Sequence, residues 1–150
     1  GSLSYHIGEE DRHHGYYAVG YALGSSPSET SADKTFNYAL WTLIEQPLLH
    51  VGESHLGAMW QGGTSPASRS TCRHYWGAGL IWSNIPPRMT QVGLVVNRAL
   101  YADGRETDVE LTGSFPVCNH FTLQPAVHCI NTNGNYTAAA QLRAILEFEN

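Results

Sequence analysis

From Tyr136 to Phe148 the chain alternates between two kinds of residue. Tyr136, Ala138, Ala140, Leu142, Ala144, Leu146 and Phe148 are apolar, and Thr137, Gln141, Arg143 and Glu147 lie between them. A period of two puts one set on each side of an extended chain, so this segment predicts a long strand with unlike faces. Ala138-Ala139-Ala140 favours helix by propensity, but the sustained alternation outweighs it. Upstream, "QVGLVVNRALYADGRETDVELTG" (91–113) predicts two strands around an Asp103-Gly104 turn, where Asp-Gly supplies the positive φ of a tight hairpin. "NTNG" (131–134) predicts another turn. "WGAGLIWSNIPP" predicts a strand ended by Pro86-Pro87, since proline cannot donate to a ladder.

The first half is less regular. "GYYAVGYALG" (15–24) alternates and predicts a strand. Residues 31–47 fit two descriptions. One is a helix capped by Ser31, with Phe36, Ala39, Leu40, Leu43 and Ile44 on one side and Pro47 as its stop. The other is a strand alternating through Phe36, Tyr38 and Leu40, and strand or mixed structure is the favoured reading. "HLGAMWQGGTSPASRSTC" (55–72) reads mostly as a Gly/Ser/Thr loop. With no repeat and no internal boundary, the expectation is a single domain over 1–150. Its fold class is all-β, mainly antiparallel: a sandwich or barrel with at most one short helix.

Composition narrows the function. Hydrophobic residues make up 42% and charged ones only 14%, about half the usual charged share. Lys34 is the only lysine. Such a surface, built from Ser, Thr, Asn, Gln and Tyr, is expected of an extracellular domain. The net charge of −5 argues against nucleic acid, which needs a basic face. No run of 18 apolar residues exists, so no membrane insertion is expected. Gly1-Ser2 at the start resembles an expression scar, consistent with a module excised from a longer chain. "NYT" (135–137) fits the glycosylation pattern, which a three-residue motif also meets by chance.

Two of the three cysteines stand at the same offset from a histidine: Cys72 and His74 in "STCRHYW", Cys118 and His120 in "PVCNHFT". On a strand each pair would share a face. Were the segments paired, the four groups could form a tetrahedral zinc site. Were the cysteines oxidised, His74 and His120 would need a third ligand, such as His128, His55 or His50. The competing expectation is a structural disulfide, Cys72–Cys118 or Cys118–Cys129, adding about 3–4 kcal/mol. The two are compatible, since the disulfide leaves the histidines free to bind metal.

Other concentrations point to binding surfaces. "DRHHGYY" (11–17) offers His13, His14 and Tyr16 as a ligand rim, against the plainer reading of a solvated loop. Trp60 lies in a polar stretch where an exposed ring could stack on a sugar. "HVGESH" (50–55) brackets Glu53 with histidines but lacks the spacing of the H-E-x-x-H zinc motif. Asp103, Glu106, Asp108 and Glu110 read as the solvent face of one hairpin. Nucleophile, phosphate-loop and dinucleotide signatures are absent, so a non-enzymatic role is expected.

"DGRETDVELTGSFPVC" and the closing "GNYTAAAQLRAILEFE" resemble strand segments of the receptor-binding domain of a bacterial chaperone–usher pilus tip adhesin. The resemblance covers roughly the last 60 residues. It implies an extracellular domain at the pilus tip that binds a host glycan or protein receptor through loops and joins other pilus subunits. It also implies a zinc held by histidines, for which His74, His120 and His128 are the candidates. The alternatives are a secreted metal-dependent hydrolase and a viral or phage fibre domain.

Overall fold

In the computed structural model, residues 1–7, 15–27, 34–66, 72–86 and 89–146 are described. Every regular element among them is a strand: β1 (Ser2–Ile7), β2 (Gly15–Pro27), β3 (Lys34–Val51), β4 (Ser54–Thr64), β5 (Cys72–Ile85), β6 (Met89–Tyr101), β7 (Arg105–Cys118), β8 (Phe121–Thr132) and β9 (Asn135–Leu146). They form one sheet in chain order, each strand antiparallel to the next. The all-β antiparallel expectation holds. The sheet does not close, because β1 and β9 are not paired with each other among the described residues.

The expected strands at 15–24, 76–85, 91–113 and 136–146 are present. Residues 34–51 resolve to strand rather than helix, and Ser31, the helix cap of the other reading, lies outside the described residues. The chain passes through Pro47 with one extra residue, Leu48, bulged out of the β3–β4 ladder. The loop expected at 55–72 is overturned over its first ten residues, which belong to β4. Leu56, Ala58 and Trp60 alternate there, and the glycines that suggested a loop occupy crowded positions. A Cβ on Gly62 would meet the Trp60 ring at 2.8 Å.

The turns explain why the strands stay in order. Asn133 and Gly134 have φ of 53° and 94°, the paired left-handed geometry of a two-residue hairpin. Asp103-Gly104 does turn the chain, but Gly104 is not among the positive-φ residues. Its glycine is required instead by contact, because a Cβ there would run into the Asn133 side chain. Asn133 in turn ties the two hairpins together: Arg105 N–H donates to its Oδ1 at 2.8 Å, and its own N–H donates to Arg105 O at 3.1 Å.

The two faces of the sheet are unlike, and their burial is inverted. One face carries Val19, Leu40, Trp60, Leu80, Leu111 and Leu142, all exposed. Apart from Trp41 and the bulged Leu48 and Val117, every large exposed hydrophobic residue among those described lies on this face. The other face carries Gln61, Tyr75, Asn97, Asp108 and His128, all partly buried. Along β7, for example, Asp108 and Glu110 are half-buried while Val109 and Leu111 are exposed. Side chains inside a curved sheet crowd together and those outside splay apart. The sheet therefore curls about its polar face. Edge strand β9 is the exception, with nearly all its side chains open.

No apolar core forms among the described residues. Among the described residues, the only buried hydrophobic ones are Ala18 and Ala126. A globular chain of 16.5 kDa would expose about 7,600 Å², whereas this one exposes 10806 Å². The described strands form one open sheet rather than two packed layers, and its apolar face is open.

The junction at Asn133 makes a direct test of the hairpin order. Asn133→Ala loses the side-chain bond to Arg105 and puts a residue that tolerates left-handed φ less well than Asn at this turn, so it should lower stability by about 1–2 kcal/mol. Asn133→Gly removes only the side-chain bond and should cost about half as much. Urea unfolding midpoints of the two variants compare these costs.

Candidate functional site

The polar face holds a connected row of side chains. Gln61 Nε2 on β4 donates to Tyr75 Oη on β5 at 2.5 Å, and Tyr75 O–H donates to Asn97 Oδ1 on β6 at 2.8 Å. Gly77 lies between these groups, opposite both Gln61 and Asn97. A Cβ at Gly77 would collide with the Asn97 amide oxygen and sit 3.1 Å from Gln61 Nε2. Glycine is therefore what lets the row cross β5. Asn97 stands directly opposite Asp108 on β7. His128 on β8 then reaches back, its Nδ1 3.1 Å from Asp108 Oδ2. Below it, Thr132 O–H donates to Glu106 Oε2 at 3.1 Å.

This row borders a cleft of about 300 Å³ lined by Cys72, Tyr75, Asn97, Tyr101, Glu106 and Asp108. Glu106 and Asp108 of β7 give it a negative lining, and His128 pairs with Asp108 at its border. Asp108, Glu110 and His128 offer ligand atoms that all lie within 4.8 Å of one another. Asp108 Oδ1 is buried and has no hydrogen-bond partner. The reading of these carboxylates as a solvent face is corrected: Asp103 is exposed in its turn, but Glu106, Asp108 and Glu110 are half-buried together.

The residues expected to hold zinc are dispersed. Cys72 stands opposite Tyr101 and His74 opposite Leu100, with Arg73 as an extra residue between them. Adjacent residues of β6 lie on opposite faces, so this bulge puts Cys72 on the polar side and His74 on the apolar side. His120 occupies the β7–β8 turn, at the end of the sheet opposite to His74. The 14 residues of β7 separate those ends, about 40 Å at ~3.3 Å per residue. Of the set His74, His120 and His128, only His128 sits on the polar face, and its neighbours are carboxylates rather than histidines.

The cysteines are likewise apart and all three are free thiols. Cys72 and Cys118 lie at opposite ends of the sheet, and Cys118 is separated from Cys129 by most of β8. A disulfide needs Cα atoms within about 7 Å, so neither expected bridge can form in this fold.

Of the expected ligand rim, only Tyr16 and Trp60 are among the described residues, and they lie on opposite faces. His13 and His14 lie outside the described residues. Tyr16 faces Glu45 on the polar side, whereas Trp60 stands opposite Ile44 and Ala78 on the apolar side. His50 and His55 do meet, as a cross-strand pair with rings stacked 5.6 Å apart. Sequence reasoning missed Gln61, Tyr75 and Asn97. No alternation marks them, because the positions that share their face include Met59, Gly79, Ile81, Gly93 and Val95 as well as polar residues.

No helix among the described residues is long and apolar enough to cross a membrane. No family model, no curated protein and no solved structure matches the chain.

The cysteine assignment is checked by alkylating the unfolded protein without reductant. Three carbamidomethyl groups per chain are expected in the mass spectrum; a species carrying only one would mean that two cysteines pair.

Proposed function

We propose that the chain is part of the wall of a membrane-embedded β-barrel, with its apolar face against lipid and its polar face lining a water-filled interior. The inverted sheet carries this reading: large apolar side chains splay outward while hydrogen-bonding groups crowd inward. A water-soluble sandwich or barrel has the opposite arrangement. A spanning barrel needs an apolar outer band, a polar interior and period-two strands.

The dimensions agree. On the β8–β9 hairpin the apolar face runs from Tyr136, opposite Asn131, to Phe121, opposite Leu146. Between these aromatic ends lie Ala138, Ala140, Leu142 and Ala144, with Leu123 and Val127 beside them. Ten residues of strand span about 33 Å, and a tilt of ~40° makes that about 25 Å in height, the thickness of the apolar band of such barrels. Trp60 and Trp76 lie toward one rim and Trp82 and Phe115 toward the other, where aromatic girdles are expected.

Charge is placed to match. Among the described strand residues, the register places Lys34, Arg98, Arg105 and His74 on the apolar face as its charged or basic residues, all toward the end of the sheet that holds the β6–β7 turn. Arginine is costly at the bilayer midplane and tolerated near the interface. The interior side carries Glu106, Asp108 and Glu110, so the passage favours neutral and cationic solutes over anions.

The missing 18-residue apolar run is no obstacle, since a tilted strand crosses with about 9–11 residues. Closure requires partners for the free edges of β1 and β9, from further strands or a second copy. A pilus-tip recognition domain, by contrast, needs two packed sheets around an apolar core, and no observation here favours it.

Single-tryptophan variants in vesicles with brominated acyl chains test the assignment. Trp60, Trp76 and Trp82 should be strongly quenched and Trp41, on the polar face, should not. Equal quenching at all four positions, or none at any, would rule out a lipid-facing wall with this orientation.

A further inference from the structure

We infer that Asp108, Glu110 and His128 form a binding site for a divalent first-row transition ion, of which Zn²⁺ is the natural probe. The inference does not depend on what covers the apolar face.

The three residues come from two strands held in register. Glu110 and His128 are direct cross-strand partners, and Asp108 is two residues from Glu110 on the same face. Their ligand atoms lie within 4.8 Å of one another. His128 Nδ1 and Asp108 Oδ2 are already 3.1 Å apart, close to the ~3.4 Å that separates two ligands of a tetrahedral zinc.

Two further facts point to a cation. Asp108 Oδ1 is buried without a hydrogen-bond donor, and an orphaned carboxylate oxygen is costly unless something positive meets it. No Lys or Arg forms an ion pair with these carboxylates among the described residues; His128 is the one salt-bridge partner, and its side chain is only 18% exposed. One imidazole nitrogen with two carboxylates suits a transition ion better than calcium, which takes six or more oxygens. Three protein ligands leave at least one coordination position open. Asp108 also lines the cleft with Tyr75, Asn97 and Glu106, so a small donor molecule in that cleft is within reach of the ion.

Calorimetric titration of the full chain with Zn²⁺ should give one site. His128→Gln and Asp108→Asn should each weaken it at least tenfold, while His74→Ala and His120→Ala leave it unchanged. Absence of binding to the wild-type protein, or equal binding by His128→Gln, would overturn the site. Loss of binding through His55→Ala would instead assign the ion to the His50–His55 pair and also overturn it. Should a site variant fail to fold, Co²⁺ on the wild-type protein decides. Visible d–d bands without thiolate charge transfer are expected, and a thiolate band would bring in Cys72 and contradict the ligand set.

Discussion

The hydrogen bonds from Gln61 through Tyr75 to Asn97 cross three strands on one face, and they are satisfied in one register only. In a sheet, slipping a strand by one residue moves every side chain to the other side. These bonds therefore fix where the apolar residues go as firmly as where the polar ones go. With the row inside the curl, Trp60, Trp76, Leu80 and Leu94 must face outward. The open apolar face is thus a consequence of the polar seam, and in the proposed membrane wall a bilayer would be the solvent that makes both favourable at once.

The seam also gives meaning to features that look like defects. Gly77 weakens a strand by its own propensity, but any side chain there would separate Gln61 from Asn97. Gly20 has a similar place opposite Trp41, whose ring lies across it. Small residues on the polar face let larger polar ones lean over them. In a soluble strand such glycines would read as loop, which is how 55–64 misleads when read without its partners.

Much of the sheet was legible from alternation and turns. β2 and β9 follow directly from period two, β6 and β7 from the Asp103-Gly104 turn, β5 from its proline stop, and the Asn133-Gly134 turn from its residue types. The site was not, because it depends on bulges that leave no sequence mark. Pairing counted from Cys118 and Phe121 would put His128 opposite Leu111. The extra residue at Val117 shifts the ladder so that His128 meets Glu110 on the polar face. Arg73 does the reverse to Cys72 and His74, splitting a pair that simple alternation keeps together. The equal Cys-x-His offsets therefore have no common structural role. Burial was misjudged for a different reason: alternation tells that two faces differ, but not which solvent each one meets.

That last point is open to direct measurement. On a cysteine-free background reconstituted in vesicles, single cysteines placed in turn from Tyr136 to Arg143 would be spin-labelled, and their collision rates with oxygen and with a water-soluble nickel complex compared. A lipid-backed sheet predicts a period of two: oxygen favoured at 136, 138, 140 and 142, the nickel complex favoured at 137, 139, 141 and 143. Uniform access to the nickel complex along the strand, or alternation in the opposite phase, would contradict the inverted sheet and the membrane wall built on it.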